Sequence, residues 1–373
     1  MKYVVAASAL LMACGGPPAQ SGGEMVESSE SPYSCDPDTM AKWIAWAEAS
    51  DEGLWEGDPE HEVRFSFIRS YGGEEVMDPP FFSIRDVEVS GDSIFIADAS
   101  GCRVVCMGLD GSVIWTAGEQ GEGPGHFNAV YKIAVNGGYV LVADGMLDKV
   151  EIMDRSGRVL DLVPVGNPTD VLFVDDSTFA VLSEMEPGGD VHVFAVSGEK
   201  LFSFGEAQWF RHPENVTFRM QDSFNALLAP DSVLLVSMWN TYHLYPCHLG
   251  SRTVGRDIAR EYPTEVREPE FHTDGDQMGG QFYRNMGRLF VGPEGMLNVE
   301  LANYTRNGQI RSAEDTTLAP VKLIDRYDWD WNYLDSYCLP LPGGVGAYSA
   351  ECGFLVLDYE TGALLRFTVQ TGN

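Results

Sequence analysis

The sequence predicts an all-β chain folded as a six-bladed β-propeller, and three observations predict it. Strand-like apolar segments recur from about residue 62 to the C-terminus, spaced by about 40 to 60 residues. Most repeats contain a two-residue turn bearing glycine, which supplies the positive φ of a tight hairpin. No repeat carries the apolar period of 3.6 that a helical solenoid would need.

The repeats align strand for strand. DSIFIADASGCRVVCMGLDGSVIWTAG, GYVLVADGMLDKVEIMDRSGRVLDLVP and STFAVLSEMEPGGDVHVFAVSGEKLFSFG each read as an apolar strand ending at a polar residue, a loop, a second strand, a turn and a third strand. The turns are Asp110-Gly111, Ser156-Gly157 and Ser197-Gly198. Three further units follow: DSVLLVSMWNTYHLYPCHLGSRT, GMLNVELANYTRNGQIR and GVGAYSAECGFLVLDYETGALLRFTVQ, the last with Thr361-Gly362 as its turn. The residues that end the first strand of each unit are Asp98, Asp144, Glu184, Met238, Glu300 and Ser349. Long insertions interrupt the fourth and fifth units at about 206 to 230 and 258 to 287. HEVRFSFIRS, residues 61 to 70, is placed to supply the outermost strand of the last blade and so close the ring.

Between the first two units lies GEQGEGPGHFNAVYKIAV, Gly118 to Val135. Here the chain must cross from the outer edge of one blade to the central axis beside the next. Glycines permit the sharp path, Pro124 stiffens it, and Phe127 is positioned to plug the gap between blades. GEGPGHF followed by a strand, together with IFIAD and the nearby Arg103, resembles the NHL-type repeat of six-bladed propellers. Lys149 takes the same basic position after Asp144. The resemblance is strongest over residues 82 to 165, and it implies an NHL/TolB-like architecture for residues 61 to 373. Many bacterial lipoproteins consist of one such propeller.

The N-terminal region reads differently. MKYVVAASALLMAC has a basic residue, Lys2, and an apolar run too short to span a bilayer. Leu11-Met12-Ala13-Cys14 resembles the bacterial lipobox, which implies a signal peptide over 1–13 and lipidation of Cys14. Gly15 after the cysteine implies export to the outer membrane or cell surface. Residues 14–35 are rich in Gly, Pro, Ser and Glu and predict a disordered tether. In the segment 36–60, Met40, Trp43, Ile44 and Ala47 follow helical spacing, with Asp38 as the cap of a short helix.

Charge narrows the partners. With 24 basic and 56 acidic side chains the net charge is −32, which repels phosphate backbones and anionic lipid. Nucleic acid is excluded as a partner, and membrane contact is expected only through the lipid anchor. A monomer is expected, binding a protein, peptide or glycan.

Loops after corresponding strands of a propeller gather at one face. Asp98, Asp144, Glu184 and Glu300, with Glu351 and the aromatic loop residues Trp239 and Tyr242, form the candidate ligand face. Such carboxylates suit a hard cation such as Ca²⁺, or they cap their own loops. No cofactor is otherwise expected. The seven histidines avoid the blade-end positions, and no GxSxG, Walker or HExxH motif occurs, so no catalytic residue is assigned. The alternative to a binding module is a metal-dependent hydrolase, lactonase or lyase at the central channel, as some six-bladed relatives are. Cys102 and Cys352 align near each other on blades that adjoin after ring closure, so a bridge between them is expected, with Cys338–Cys352 as the competing pair.

Overall fold

Strands buried on both faces carry near-continuous apolar runs, and strands at a rim alternate. Both patterns appear within each repeat of the computed structural model. It describes residues 63–72, 81–183, 185–205, 224–238, 243–259, 270–274, 277–281, 286–304, 321–339, 344–358 and 362–371. In the first blade the strand Ser93–Asp98 (SIFIAD) is buried almost throughout, and the outer strand Val113–Ala117 is largely exposed.

Six antiparallel blade sheets result, five of them four-stranded and that of blade four five-stranded, where Ile258–Ala259 also pairs with His243–His248. Their inner strands are Ile84–Ser90, Val130–Val135, Asp170–Phe173, Phe224–Ala229, Met286–Val291 and Gly344–Ser349, for blades one to six. Each inner strand packs against the next around the ring, and that of blade six returns to that of blade one. The protein is a closed six-bladed β-propeller. The predicted signal peptide, tether and helical segment lie outside the described residues. Among the described residues, no helix is long and apolar enough to cross a membrane.

The core consists of six apolar layers, one per blade interface. Alternation along a strand feeds two of them: Ile94 and Ile96 join the layer shared with blade six, Phe95 and Ala97 the layer shared with blade two. Phe127 is fully buried in that second layer. A Cβ on Gly118 (φ +108°) would lie 2.7 Å from the Phe127 ring and 2.8 Å from the Cys102 carbonyl. The buried pair Lys149–Glu151 holds the rest of the linker. Glu151 accepts the Gly125 N–H at 3.0 Å, and Lys149 Nζ donates to the carbonyl of Gly123 at 2.8 Å.

The N-terminal strand Val63–Tyr71 is the outermost strand of blade six, paired antiparallel with Leu364–Thr371. This closure corrects the reading of the repeats in two ways. The strand read as first in each of the first five units is the second strand of its blade, since the innermost strand comes from the preceding linker. In blade four that strand, Phe224–Ala229, lies within what reads as an insertion; the hairpin Glu270–Asp274/Gln277–Gln281 occupies the other. Blade six takes its outer strand from the N-terminus, so its frame shifts by one. Ser349 therefore ends an inner strand, and Gly362 follows the second strand instead of the third.

Candidate functional site

A channel of about 290 Å³ runs between the inner strands. Near their starts the strands carry a belt of polar side chains: Asp86, Lys132, Asp170 and Asn225 stand opposite Ala97, Ala143, Leu182 and Ser237 of the second strands. Arg288 joins them from blade five. An inner strand has an unpaired edge, and its N–H groups need acceptors. The belt supplies them. Asp86 accepts the Ile133 N–H of blade two at 3.0 Å, and Asp170 accepts the Ala226 N–H of blade four at 2.7 Å.

The cations complete the circuit. Arg288 donates to Asp86 and Glu88 of blade one. Lys132 Nζ lies 3.4 Å from Asn225 Oδ1 and 3.8 Å from Asp170 Oδ1, and Asn225 donates to the Gly287 carbonyl at 2.9 Å. Burial works against the Arg288 charge, but Asp86 and Glu88 more than offset it and hold its pKa above the ordinary guanidinium value. Burial raises the Asp170 carboxyl, opposed by Lys132.

One residue further into the same face of each strand, the layer turns apolar. Glu88, Ala134, Leu172, Leu227 and Phe290 stand opposite Phe95, Leu141, Ala180, Leu235 and Asn298. Glu88 is the one carboxylate among them. A third of its side-chain surface is accessible (33%), and the residue lines the channel. Burial pushes its carboxyl up to about 7, against the pull of Arg288.

The structure places the sequence-predicted site residues elsewhere. Asp98 is fully buried; it accepts N–H groups from Phe82, Ser83 and Gly101 and the Nε–H of Arg103 at 2.9 Å. Asp144 is likewise buried and accepts the N–H groups of Asn128, Ala129, Met146 and Leu147. Glu300, buried in mid-strand, accepts the Arg288 N–H at 3.1 Å. Each of the three pins the start of its blade's inner strand to that blade's second strand. Glu351 is exposed in the turn between the inner and second strands of blade six, on the face opposite Asp98, because of the shifted frame. Glu184, Trp239, Tyr242 and Cys14 lie outside the described residues.

The expected Cys102–Cys352 bridge is absent. Both are buried thiols, Cys102 in the layer between blades one and two and Cys352 in that between blades six and one. They occupy opposite faces of blade one, and the Cys102 thiol points at the Asn128 carbonyl, 3.6 Å away. The competing pair with Cys338 is excluded by the free Cys352 thiol. Among the described residues, no three of His, Cys, Asp and Glu are grouped to hold a metal ion.

A second feature surrounds the channel mouth. Loops and one strand start, on the side where inner strands begin, expose large apolar side chains: Phe82 (54%), Tyr131 (38%), Met146 (55%) and Met185 (57%). Tyr131, Met146 and Met185 lie on blades two and three, and Phe82 on blade one. A Cβ on Gly145 would touch the Tyr131 ring at 3.2 Å and Asn167 at 3.0 Å, and one on Gly166 would touch Met185 at 3.4 Å.

The belt escapes a reading that begins each unit at its second strand. Its one sequence signal is a polar residue inside a short strand-like run, alone in KIAV, NALLA and RLFV and one of several in RDVEVS.

Fold and site together define a six-bladed β-propeller with a charged belt in its channel and an apolar rim on one face. Comparison with protein-family models finds no match, nor does comparison with curated proteins. Solved structures show the fold. A DUF4221-family protein from Bacteroides vulgatus aligns at a TM-score of 0.54 and 9% identity, covering 83% of this chain and 99% of that one. The WD40 repeats of RRP9 align at 0.53 and 11%, covering 83% and 100%. A Bacteroides fragilis protein assigned as exported aligns at 0.52 and 11%, covering 83% and 96%.

Proposed function

We propose that this chain is an exported, lipid-anchored propeller that binds a protein or peptide partner, with glycans as the wider ligand class, at the bacterial outer membrane or cell surface. The observation that carries the binding reading is the apolar rim. Phe82, Met146 and Met185 come from separate loops and Tyr131 from the start of an inner strand, yet all stand exposed on one face of a rigid ring. Large apolar side chains exposed together on one face are typical of interaction sites, and methionine adapts to varied partners. The Cys14 lipobox and the exported assignment of the B. fragilis propeller support the location. The NHL-like linker supports descent from propellers of that repeat type.

Site-specific photo-crosslinking in intact cells tests the binding reading. A crosslinker at Met146 or Met185 is expected to trap one discrete partner, and the same probe at Ile114, exposed on an outer strand, is not. Equal trapping at all three positions, or none, removes the assignment. Labelling with a radioactive fatty acid tests the anchor: the label is expected on the native chain and absent from Cys14→Ser.

A further inference from the structure

The channel has a distribution of charge and apolar surface that the belt's structural role does not require. Of its lining carboxylates, Asp86 and Asp170 are consumed: each accepts a backbone N–H from the neighbouring blade and faces a cation. Arg288 is consumed by two carboxylates. Glu88 differs. Its Oε1 meets Arg288, and among the described residues its Oε2 accepts no hydrogen bond. That oxygen lies one layer into the channel, where the other blades present Ala134, Leu172, Leu227 and Phe290. Among the described residues three carboxyl groups and two cations line the space, so one negative charge is in excess once Glu88 is ionised. The −32 charge of the whole chain favours cations at any opening.

We propose that the central channel is a binding site for a small amphipathic amine, its ammonium group donating to Glu88 Oε2 and its apolar body lying against Leu172, Leu227 and Phe290. A volume of about 290 Å³ admits a ligand of this size but no polymer. An anion is disfavoured, because both cations already face carboxylates. A neutral apolar molecule would leave the Glu88 oxygen buried without a partner, which costs affinity. The site uses none of the rim side chains, so it stands or falls separately from partner docking on that face.

Calorimetric titration of the full chain with benzylamine tests the site, with benzyl alcohol and benzoate as the neutral and anionic counterparts. Benzylamine is expected to bind and the other two are not. Glu88→Gln, which keeps the shape and loses the charge, is expected to weaken benzylamine at least tenfold. Because burial holds the Glu88 carboxyl near 7, wild-type affinity is also expected to rise about tenfold from pH 6 to pH 8. That second readout needs no variant to fold. Benzoate or benzyl alcohol binding as well as the amine, benzylamine affinity unchanged in Glu88→Gln or flat with pH, or no binding at millimolar concentration would each overturn the proposal.

Discussion

Arg288 on the inner strand of blade five clasps Asp86 on the inner strand of blade one, reaching past blade six across the channel. The two residues lie 202 positions apart in sequence. Asp86 is almost completely buried, so the guanidinium supplies the positive charge that its carboxylate needs. Removing one partner of such a pair leaves an uncompensated charge. Arg288→Met is expected to lower unfolding free energy by about 3–5 kcal/mol, with Arg288→Lys losing less because a cation remains. Urea titration measures both. A loss below about 1 kcal/mol in Arg288→Met would mean the belt adds little to ring closure.

Two carboxylates should respond to pH with opposite sign. The Glu88 carboxyl sits at about 7 in the fold against an ordinary 4.5, so between those values the folded chain holds a proton that the unfolded chain lacks. Its contribution to stability therefore falls as pH rises from about 4.5 to about 7. The Ser156 hydroxyl, aided by Arg158, holds Asp154 down to about 2 against 3.8, so its contribution is present above about 3.8 and lost as pH drops through about 2. Thermal melts across pH should show a flatter profile between pH 5 and 7 for Glu88→Gln. Asp154→Asn should flatten only the acid limb. Parallel curves for wild type and either variant would refute the corresponding assignment.

The linker between blades one and two depends on a close approach. Phe127→Ala empties a fully buried ring site and is expected to cost about 3–5 kcal/mol. Gly118→Ala is expected to destabilise as well, since its Cβ would collide with the same ring and its φ of +108° disfavours any side chain. In the double variant the ring clash is gone, and part of the Gly118→Ala penalty should disappear. Strict additivity in chemical denaturation would show that the two residues do not meet.

Deleting the strand Val63–Tyr71 removes the outer strand of blade six and exposes the edge of Leu364–Thr371. Such an edge recruits other chains. The truncated protein is expected to self-associate and to lose protection first in blade six, as hydrogen exchange would report. A monomeric truncation with wild-type protection would show that this strand is not the closure.

Much of the architecture was legible from local pattern. Runs such as SIFIAD and YVLVAD, the Asp110-Gly111 turn and the Gly118–Phe127 linker all express period, turn chemistry and burial within a few neighbouring residues. The six-fold count and the N-terminal closing strand followed from repetition. The candidate site was far less legible. Asp98 and Asp144 stand out in sequence because loops need caps, and that is the use the fold makes of them. Asp86, Lys132 and Arg288 look unremarkable, because one polar residue in a short strand has many ordinary explanations.

By itself the chain's order of residues determined that this protein is a ring of β-blades, because strand and turn preferences act over short stretches that repeat. Only the tertiary structure decided what meets in the middle. Asp86, Glu88 and Arg288 become neighbours through closure of the whole ring, and the placement of Cys102 and Cys352 on opposite faces of one blade depends on the same register. Contacts of that kind depend on the angle at which six sheets close, which no local window encodes.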